Sequence, residues 1–120
     1  MADVLIIDDA PLMREVLTRI LERAGHMVRE ADDGRSGMAE FQDRRPELVI
    51  TDMMMPEMDG IETIRAMRRE DPEVPIIAIS GGDEVNSAAA LGATATLENF
   101  TLNEMLALVE RLLAGSHSPT

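Results

Sequence analysis

Three apolar runs in this sequence each end abruptly in a polar side chain that could do chemistry. Asp8 and Asp9 follow the first run, Asp52 follows the second, and Ser80 follows the third. Carboxylate oxygens are the ligands that a hard cation such as Mg²⁺ prefers. An Asp beside such a cation can attack a phosphoryl group and form an aspartyl phosphate, while the metal screens the charge on the transferring oxygens.

Each of these residues also has an ordinary structural explanation. Asp8 and Asp9 precede a segment of helical periodicity, where acidic side chains favour the positive end of the helix dipole. Asp52 alone would be a turn residue, and Ser80 before two glycines would be a turn hydroxyl. Their shared placement at the ends of apolar runs favours the chemical interpretation.

The runs that must position these side chains alternate with helical segments. The five candidate strands are residues 4–7, 27–30, 48–51, 75–79 and 94–97. Continuous apolar runs are typical of parallel strands buried on both faces, so the order β-α repeated five times predicts an α/β sheet with helices on both faces. Right-handed crossovers leave few topologies, and the doubly wound strand order 2-1-3-4-5 is the most economical.

Helix boundaries are marked by residues with a local reason to be there. Pro11 stands at the first helical position of the first helix, and Gly25 closes that helix in a left-handed conformation. Thr101 and Glu104 form a capping box for the last helix. A brief Ala-rich helix is predicted over 83–92.

The predicted topology brings the acidic residues to one place. In a doubly wound sheet, ligands bind at the carboxyl ends of the strands, in the crevice between strands one and three. Adjacent strands lie about 4.8 Å apart, so Asp8, Asp9 and Asp52 should converge and repel one another unless a cation neutralises them. The sequence therefore predicts a Mg²⁺ site at this edge.

Length and charge limit the other possibilities. The 120 residues are one domain's worth, expected as a domain over 1–115 and a polar tail over 116–120. The formal charge of −12 disfavours nucleic acid and anionic membranes as partners and favours basic, apolar or metallic ones. No cysteine is present, which excludes disulfides and thiolate sites. With no signal-peptide pattern at the start and no long apolar span, a cytoplasmic location is expected.

Four segments together carry a family resemblance. They are the run before Asp8 and Asp9, the stretch Asp-Met-Met-Met-Pro-Glu-Met-Asp-Gly over 52–60, the stretch Pro-Ile-Ile-Ala-Ile-Ser over 75–80, and Leu-Gly-Ala over 91–93. On these segments the chain resembles the receiver domains of two-component response regulators over almost its whole length. The resemblance implies the flavodoxin-like α/β fold, a doubly wound five-stranded parallel sheet in the order 2-1-3-4-5 with helices on both faces.

The resemblance also implies a role for each site residue. Asp52 matches the phosphoacceptor, which takes a phosphoryl group from a sensor histidine kinase or a histidine phosphotransfer protein. Asp9 matches the direct Mg²⁺ ligand, Asp8 its more distant acidic companion, and the backbone carbonyl of Met54 a further ligand beside Asp52. Ser80 matches the hydroxyl that moves toward the phosphoryl group and so biases a two-state surface. A receiver of this kind is not expected to be an enzyme.

The chain departs from the family pattern on one side of the fold. Receivers carry Lys-Pro before the last helix, whereas residues 97–100 are Leu-Glu-Asn-Phe and the chain has no lysine. The segment 80–92 is nearly one helical turn shorter than in the family. Thr96 stands where many receivers carry an aromatic switch residue.

Two alternatives stay open, of which the missing lysine supports the first. The first is a pseudo-receiver, a protein-interaction module that is not regulated by phosphorylation. The second is a small Mg²⁺-dependent phosphohydrolase with an Asp nucleophile. The second is disfavoured because such enzymes usually place another Asp two residues after the nucleophile, where this chain has Met54.

Overall fold

The computed structural model describes residues 2–53, 60–79, 92–98 and 100–116. Five strands and four helices lie in these ranges. The strands are β1 (Asp3–Ile7), β2 (Met27–Ala31), β3 (Leu48–Asp52), β4 (Ile76–Ile79) and β5 (Ala95–Leu97). The helices are α1 (Pro11–Arg23), α2 (Gly34–Asp43), α3 (Gly60–Glu70) and α4 (Leu102–Ser116).

The five strands form one parallel sheet in the order β2-β1-β3-β4-β5. This arrangement confirms the predicted fold class and strand order. β1 is hydrogen-bonded to β2 on one side and β3 on the other, and its last residue, Ile7, stands beside Thr51 of β3. The ends of β1 and β3 are therefore neighbours, and the residues that follow them share one edge of the sheet.

The sheet separates two apolar cores. Leu5 and Ile7 of β1 contribute to the core beneath α2 and α3, whereas Val4 and Ile6 contribute to the core beneath α1 and α4. Side chains of successive strand residues point to opposite faces, so a continuous apolar run supplies both cores at once. Each large side chain that is fully buried stabilises the fold by about 1.5–3 kcal/mol.

The local signals at the helix ends are confirmed. Pro11 is the first residue of α1, and Gly25 follows that helix with φ of 96°. The Thr101 amide donates to Glu104 Oε1 at 2.8 Å, and the Glu104 amide donates to Thr101 Oγ1 at 3.1 Å. These reciprocal bonds satisfy two amides that α4 would otherwise leave without a partner.

Some expectations differ from the structure or fall outside it. β1, β2 and β3 are each one residue longer than the predicted strand, at the start of β1 and at the ends of β2 and β3. Hydrogen bonding to a neighbouring strand, and not hydrophobicity, sets where a strand begins and ends. β4 begins at Ile76, after Pro75, and β5 is one residue shorter than expected.

α4 continues to Ser116, and the domain boundary at 115 stays a prediction. The Ala-rich helix expected over 83–92 falls on residues outside the described ranges except for Gly92. No helix in the described ranges is long and apolar enough to cross a membrane.

His26 joins the residue that precedes β1 to the last helix, α4. Its Nδ1 accepts from the Ala2 amide at 3.2 Å, and its Nε2 lies 2.8 Å from Glu110 Oε2 on α4. Because Nδ1 is the acceptor, a neutral ring carries its proton on Nε2 and donates it to the carboxylate. The buried histidine is structural, since both of its nitrogens are used within the fold.

Gly60 lets α3 begin directly against the end of β3. A Cβ atom at this position would lie 2.5 Å from the Asp52 carbonyl oxygen and 2.5 Å from Met53 Cα. Backbone atoms cannot rotate away as a flexible side chain can. Only glycine therefore allows this close approach of the helix to the strand that carries Asp52.

We expect Gly60→Ala to lower the free energy of unfolding by about 1–3 kcal/mol, because the added methyl overpacks against backbone. Gly115→Ala is the matched control, since a Cβ there meets nothing within 4 Å. That control should be neutral or slightly stabilising, because Ala favours helix over Gly. Urea denaturation of both variants measures the difference, and equal stability of the two would contradict the packing argument.

Candidate functional site

Three carboxylates meet at the carboxyl edge of the sheet. Asp8 and Asp9 follow β1 and Asp52 ends β3, and one oxygen from each lies within 4.8 Å of the others. The topology places them together, because β1 and β3 are adjacent parallel strands. Asp8 is buried, Asp52 is half-buried and Asp9 is exposed. The site therefore grades from a fixed inner carboxylate to an outer one that solvent can reach.

Hydrogen bonds hold both the side chain and the backbone of Asp8. The Asp8 side chain is bonded to the Ala10 amide, which donates to Oδ1 at 2.8 Å. The Asp8 amide donates to the Ala31 carbonyl oxygen at 3.1 Å, and the Asp8 carbonyl oxygen accepts from Arg14 Nη1 at 2.7 Å. The turn between β1 and α1 is thus fixed through both its side chain and its backbone.

The pKa of Asp8 is raised above its ordinary value. Burial is the largest cause, because it removes water from the charged form, and the nearby charge of Asp9 acts in the same direction. The Ala10 amide, the charge of Arg14 and a hydrogen bond with the Asp52 side chain lower this pKa and offset part of the increase. The ionised form of Asp8 is therefore less favoured than that of an ordinary, solvated Asp.

The donor set fits a hard divalent cation. All three groups are carboxylates, which are oxygen ligands of the kind that Mg²⁺ takes, usually one or two at a time with water in the remaining positions. A cation here would offset the mutual repulsion of the carboxylates and the cost of burying the charge of Asp8. The residues present thus match the Mg²⁺ that the sequence predicts.

Some predicted site residues fall outside the described part of the chain. Met54, the expected carbonyl ligand, and Ser80, the expected switch hydroxyl, both lie there, so their roles stay predictions. Asn99, at the position expected of the family's lysine, also lies outside. Thr96 is described and is half-buried on the edge strand β5.

An apolar groove of about 730 Å³ begins beside the acidic turn. It lies between the start of α1 and the residues at the start of α4. Leu12 and Met13 are among its lining residues, and Leu12 is 75% exposed. The full described lining is Ala10, Leu12, Met13, Val16, Phe100 and Leu102. A contiguous exposed apolar surface is typical of a place where another protein or a ligand binds.

Arg14 belongs to the surroundings of the site and was not singled out from the sequence. It lies on the first turn of α1, with its side chain 20% exposed, and contacts both the Asp8 carbonyl oxygen and Glu30 of β2. The only sequence feature that could have pointed to Arg14 is a basic residue on the first helical turn after an acidic pair. This feature is weak, because Arg14 contacts the backbone oxygen of Asp8, and a contact to backbone does not depend on the type of residue that is contacted.

Comparison with known proteins places these features in context. The family model of the response regulator receiver domain matches residues 4–110. NtrX of Azorhizobium caulinodans, a nitrogen assimilation regulatory protein, is 35% identical over 92% of this chain and 26% of its own length. The response regulator receiver protein CpdR of Brucella abortus is 34% identical over 97% of this chain and 100% of its own length.

Solved structures agree with the sequence comparison. The structure of the chemotaxis response regulator CheY4 of Vibrio cholerae matches with a TM-score of 0.87 and 31% identity, covering 93% of this chain and 98% of that one. The chain spans only a quarter to a half of the length of the first curated relatives that it matches, 26% of one and 49% of the next.

We expect Asp8→Asn to stabilise the metal-free protein at neutral pH. A carboxyl whose pKa is higher in the folded than in the unfolded state binds its proton more tightly when folded, so its contribution falls as pH rises through the folded pKa. Asp8→Asn has no carboxyl to ionise at this position, so it does not lose stability in this way as pH rises. Thermal unfolding in a metal chelator should give Asp8→Asn a higher Tm than wild type at neutral pH, and the advantage should shrink on acidification to about pH 3, below the ordinary Asp pKa.

The control for this measurement is Glu73→Gln, which removes one negative charge at an exposed loop position. It should leave the pH dependence of Tm close to that of wild type. A Tm of Asp8→Asn below that of wild type at neutral pH would show that the buried charge is not the dominant cost at this position.

Proposed function

This chain belongs to the response regulator receiver domain family, and on that basis we propose that Asp52 accepts a phosphoryl group in a two-component phosphorelay. The donor is a phosphohistidine of a sensor histidine kinase or a histidine phosphotransfer protein. One observation carries the proposal, which is the convergence of Asp8 and Asp9 on Asp52 at the edge of the sheet. In this role the chain is a phosphoacceptor in the cytoplasm and not an enzyme that turns over a free substrate.

The transfer requires Asp52 to act as a nucleophile. A carboxylate oxygen of Asp52 attacks phosphorus, the bond from phosphorus to the donor imidazole nitrogen breaks, and that nitrogen keeps the electron pair. The product is an acyl phosphate on Asp52. The half-buried position of Asp52 supports this role, because its carboxylate is held by the sheet and still reached from solvent.

Asp8 and Asp9 have different parts in this proposal. Asp9 is exposed and would bind the cation directly, while buried Asp8 would bind it more distantly, through water. The carbonyl of Met54 is proposed as a further ligand beside Asp52. When bound, Mg²⁺ supplies positive charge that screens the oxygens of the transferring phosphoryl group.

The absence of lysine predicts a weak response to phosphorylation. In the family, lysine before the last helix pairs with the phosphoryl group, and a hydrogen bond to a charged group contributes about 1.5–3 kcal/mol. Asn99 could donate only a neutral bond at that position. We therefore expect phosphorylation of Asp52 to populate the active state only in part, with Mg²⁺ and the Ser80 hydroxyl left to hold the phosphoryl group.

The same absence supports the second candidate function. A pseudo-receiver would use this fold to bind partners without being phosphorylated, and it would have no need of the lysine. The acidic site supports the phosphoacceptor as the first candidate, because a module that only binds partners does not need Asp8 buried beside two other carboxylates.

The apolar groove beside Asp8 and Asp9 supports a protein as the donor. We propose that its occupant is a helix of the phosphodonor with an apolar face and a basic rim. The net charge of −12 favours a basic partner, and a helix seated on Leu12 and Met13 would lie next to the acidic turn. A donor held there would be close enough to present its phosphohistidine to Asp52.

We expect acetyl phosphate with Mg²⁺ to add about one phosphoryl group per chain, as one carboxylate is the nucleophile. Asp52→Asn should abolish this addition, because an amide cannot attack phosphorus. Intact-mass measurement under mild conditions detects the product. Asp43→Asn, an exposed change on α2, is the control and should be labelled like wild type. Persistent labelling of Asp52→Asn would rule out Asp52 as the acceptor.

Beryllofluoride, a mimic of the phosphoryl group, distinguishes the two candidate functions. In wild type we expect clear amide shifts beside Asp52 and incomplete shifts at Thr96, because no lysine couples the two places. Replacing Asn99→Lys and Phe100→Pro together should increase the shift at Thr96. NMR titration measures both. Saturating shifts at Thr96 in wild type would show that lysine is dispensable here, and no shift beside Asp52 would favour the pseudo-receiver.

A further inference from the structure

Arg14 fastens the turn that carries the acidic pair. Its Nη1 donates to the Asp8 carbonyl oxygen at 2.7 Å, and its Nε donates to Glu30 Oε1 at 3.1 Å. The guanidinium therefore bridges the end of β1 and the end of β2 from its place on α1. With its side chain 20% exposed, Arg14 is more enclosed than its partner Glu30, whose side chain is 42% exposed.

The contact acts on the backbone between the two carboxylates. The Asp8 carbonyl belongs to the planar peptide unit that joins Asp8 to Asp9, so holding its oxygen restricts the position of the Asp9 Cα, from which the Asp9 side chain leaves the chain. The Ala10 amide holds the Asp8 carboxylate, and the Ala31 carbonyl oxygen holds the Asp8 amide. Arg14 supplies the remaining restraint, on the carbonyl side.

We infer that Arg14 is a positioning residue for cation binding, which it favours by holding the turn at Asp8 and Asp9 in the geometry the ion requires. The inference rests on the proposed function, because it concerns the same acidic site. Groups that orient metal ligands without touching the metal contribute strongly to affinity, and removing one typically weakens binding by about 10–100-fold. Arg14 would be such a group, acting through a backbone oxygen.

The positive charge of Arg14 gives the inference a clear test, because loss of the charge and loss of the hydrogen bond should change Mg²⁺ affinity in opposite directions. A positive charge beside a cation site repels the cation, so removing that charge alone should strengthen Mg²⁺ binding. Losing the hydrogen bond to the Asp8 carbonyl should weaken binding, because the turn is then free to move. The sign of the change in affinity separates positioning from electrostatics.

The experiment compares the Mg²⁺ affinity of the metal-free chain and four variants by calorimetry. Arg14→Ala should bind Mg²⁺ roughly tenfold more weakly than wild type. Arg14→Lys should lie in between, since an ammonium can donate to the Asp8 oxygen but cannot reproduce the two-sided fork. Arg14→Met, which keeps most of the side-chain length without a donor or a charge, provides a second neutral variant if Arg14→Ala folds poorly, and it should also bind Mg²⁺ more weakly than wild type.

Arg19→Ala is the matched control. Arg19 lies on the same helix, is 68% exposed and pairs with Glu15, so its removal changes the net charge equally without touching the acidic turn. Its Mg²⁺ affinity should equal that of wild type or be slightly higher. Amide shifts of Asp9 and Ala10 in the metal-free protein should change in Arg14→Ala and stay unchanged in Arg19→Ala.

Two outcomes would overturn the inference in distinguishable ways. If wild type binds Mg²⁺ and the neutral variants without a donor, Arg14→Ala and Arg14→Met, are folded by circular dichroism and bind it equally or more tightly, the positioning role fails and the proposed function stands. If wild type itself binds no Mg²⁺, the metal site of the proposed function fails and the inference fails with it. Partial rescue by Arg14→Lys would support positioning over general stability of the fold.

Discussion

Repulsion among three carboxylates is the constraint around which this end of the molecule is arranged. Parallel strands β1 and β3 lie side by side, so the residues at their ends have no room to separate. The fold accommodates the repulsion by giving Asp8 the Ala10 amide as a donor and Arg14 as a nearby positive charge. The pKa of Asp8 is nevertheless raised, chiefly by burial and in part by the charge of Asp9. A cation bound beside these carboxylates would offset both costs, which is why this arrangement supports the proposed Mg²⁺ site.

A second constraint is the close approach of backbone to backbone on the other side of the site. Gly60 places the first turn of α3 against the Asp52 carbonyl, where no side chain would fit. The carboxylate of Asp52 therefore projects from a strand end that is fixed by β1 on one side and by α3 beside it. Rigid support of this kind would suit the proposed role of Asp52 as a nucleophile, because its oxygen would already be in position when a donor binds.

The sequence predicts most of the fold because the signals that it carries are local. Continuous apolar runs identify β1, β3 and β4, and the capping box at Thr101 identifies the start of α4. Contacts that combine distant segments are not readable in the same way. Arg29 is the clearest example, since it is enclosed by Asp3 from β1 and by Glu40 and the Arg44 carbonyl around the end of α2. Nothing near Arg29 in sequence indicates this half-buried network.

The convergence of Asp8, Asp9 and Asp52 was predictable from the sequence, but the environment of each carboxylate was not. Asp8 and Asp9 are chemically identical neighbours, yet one is buried and the other exposed, because successive residues at a strand end face opposite directions. The topology alone could place both near Asp52. It could not indicate which of them loses its water, or that a backbone oxygen would receive the Arg14 side chain.

The sheet also acts as a partition between two cores that share few side chains. Substitutions beneath α1 and α4 are surrounded by one set of neighbours, and substitutions beneath α2 and α3 by another. Energetic effects of changes with no shared partners are nearly additive. The two layers can thus accept substitutions independently. One helical face could change to fit a new partner while the opposite layer and the strand ends keep their sequence.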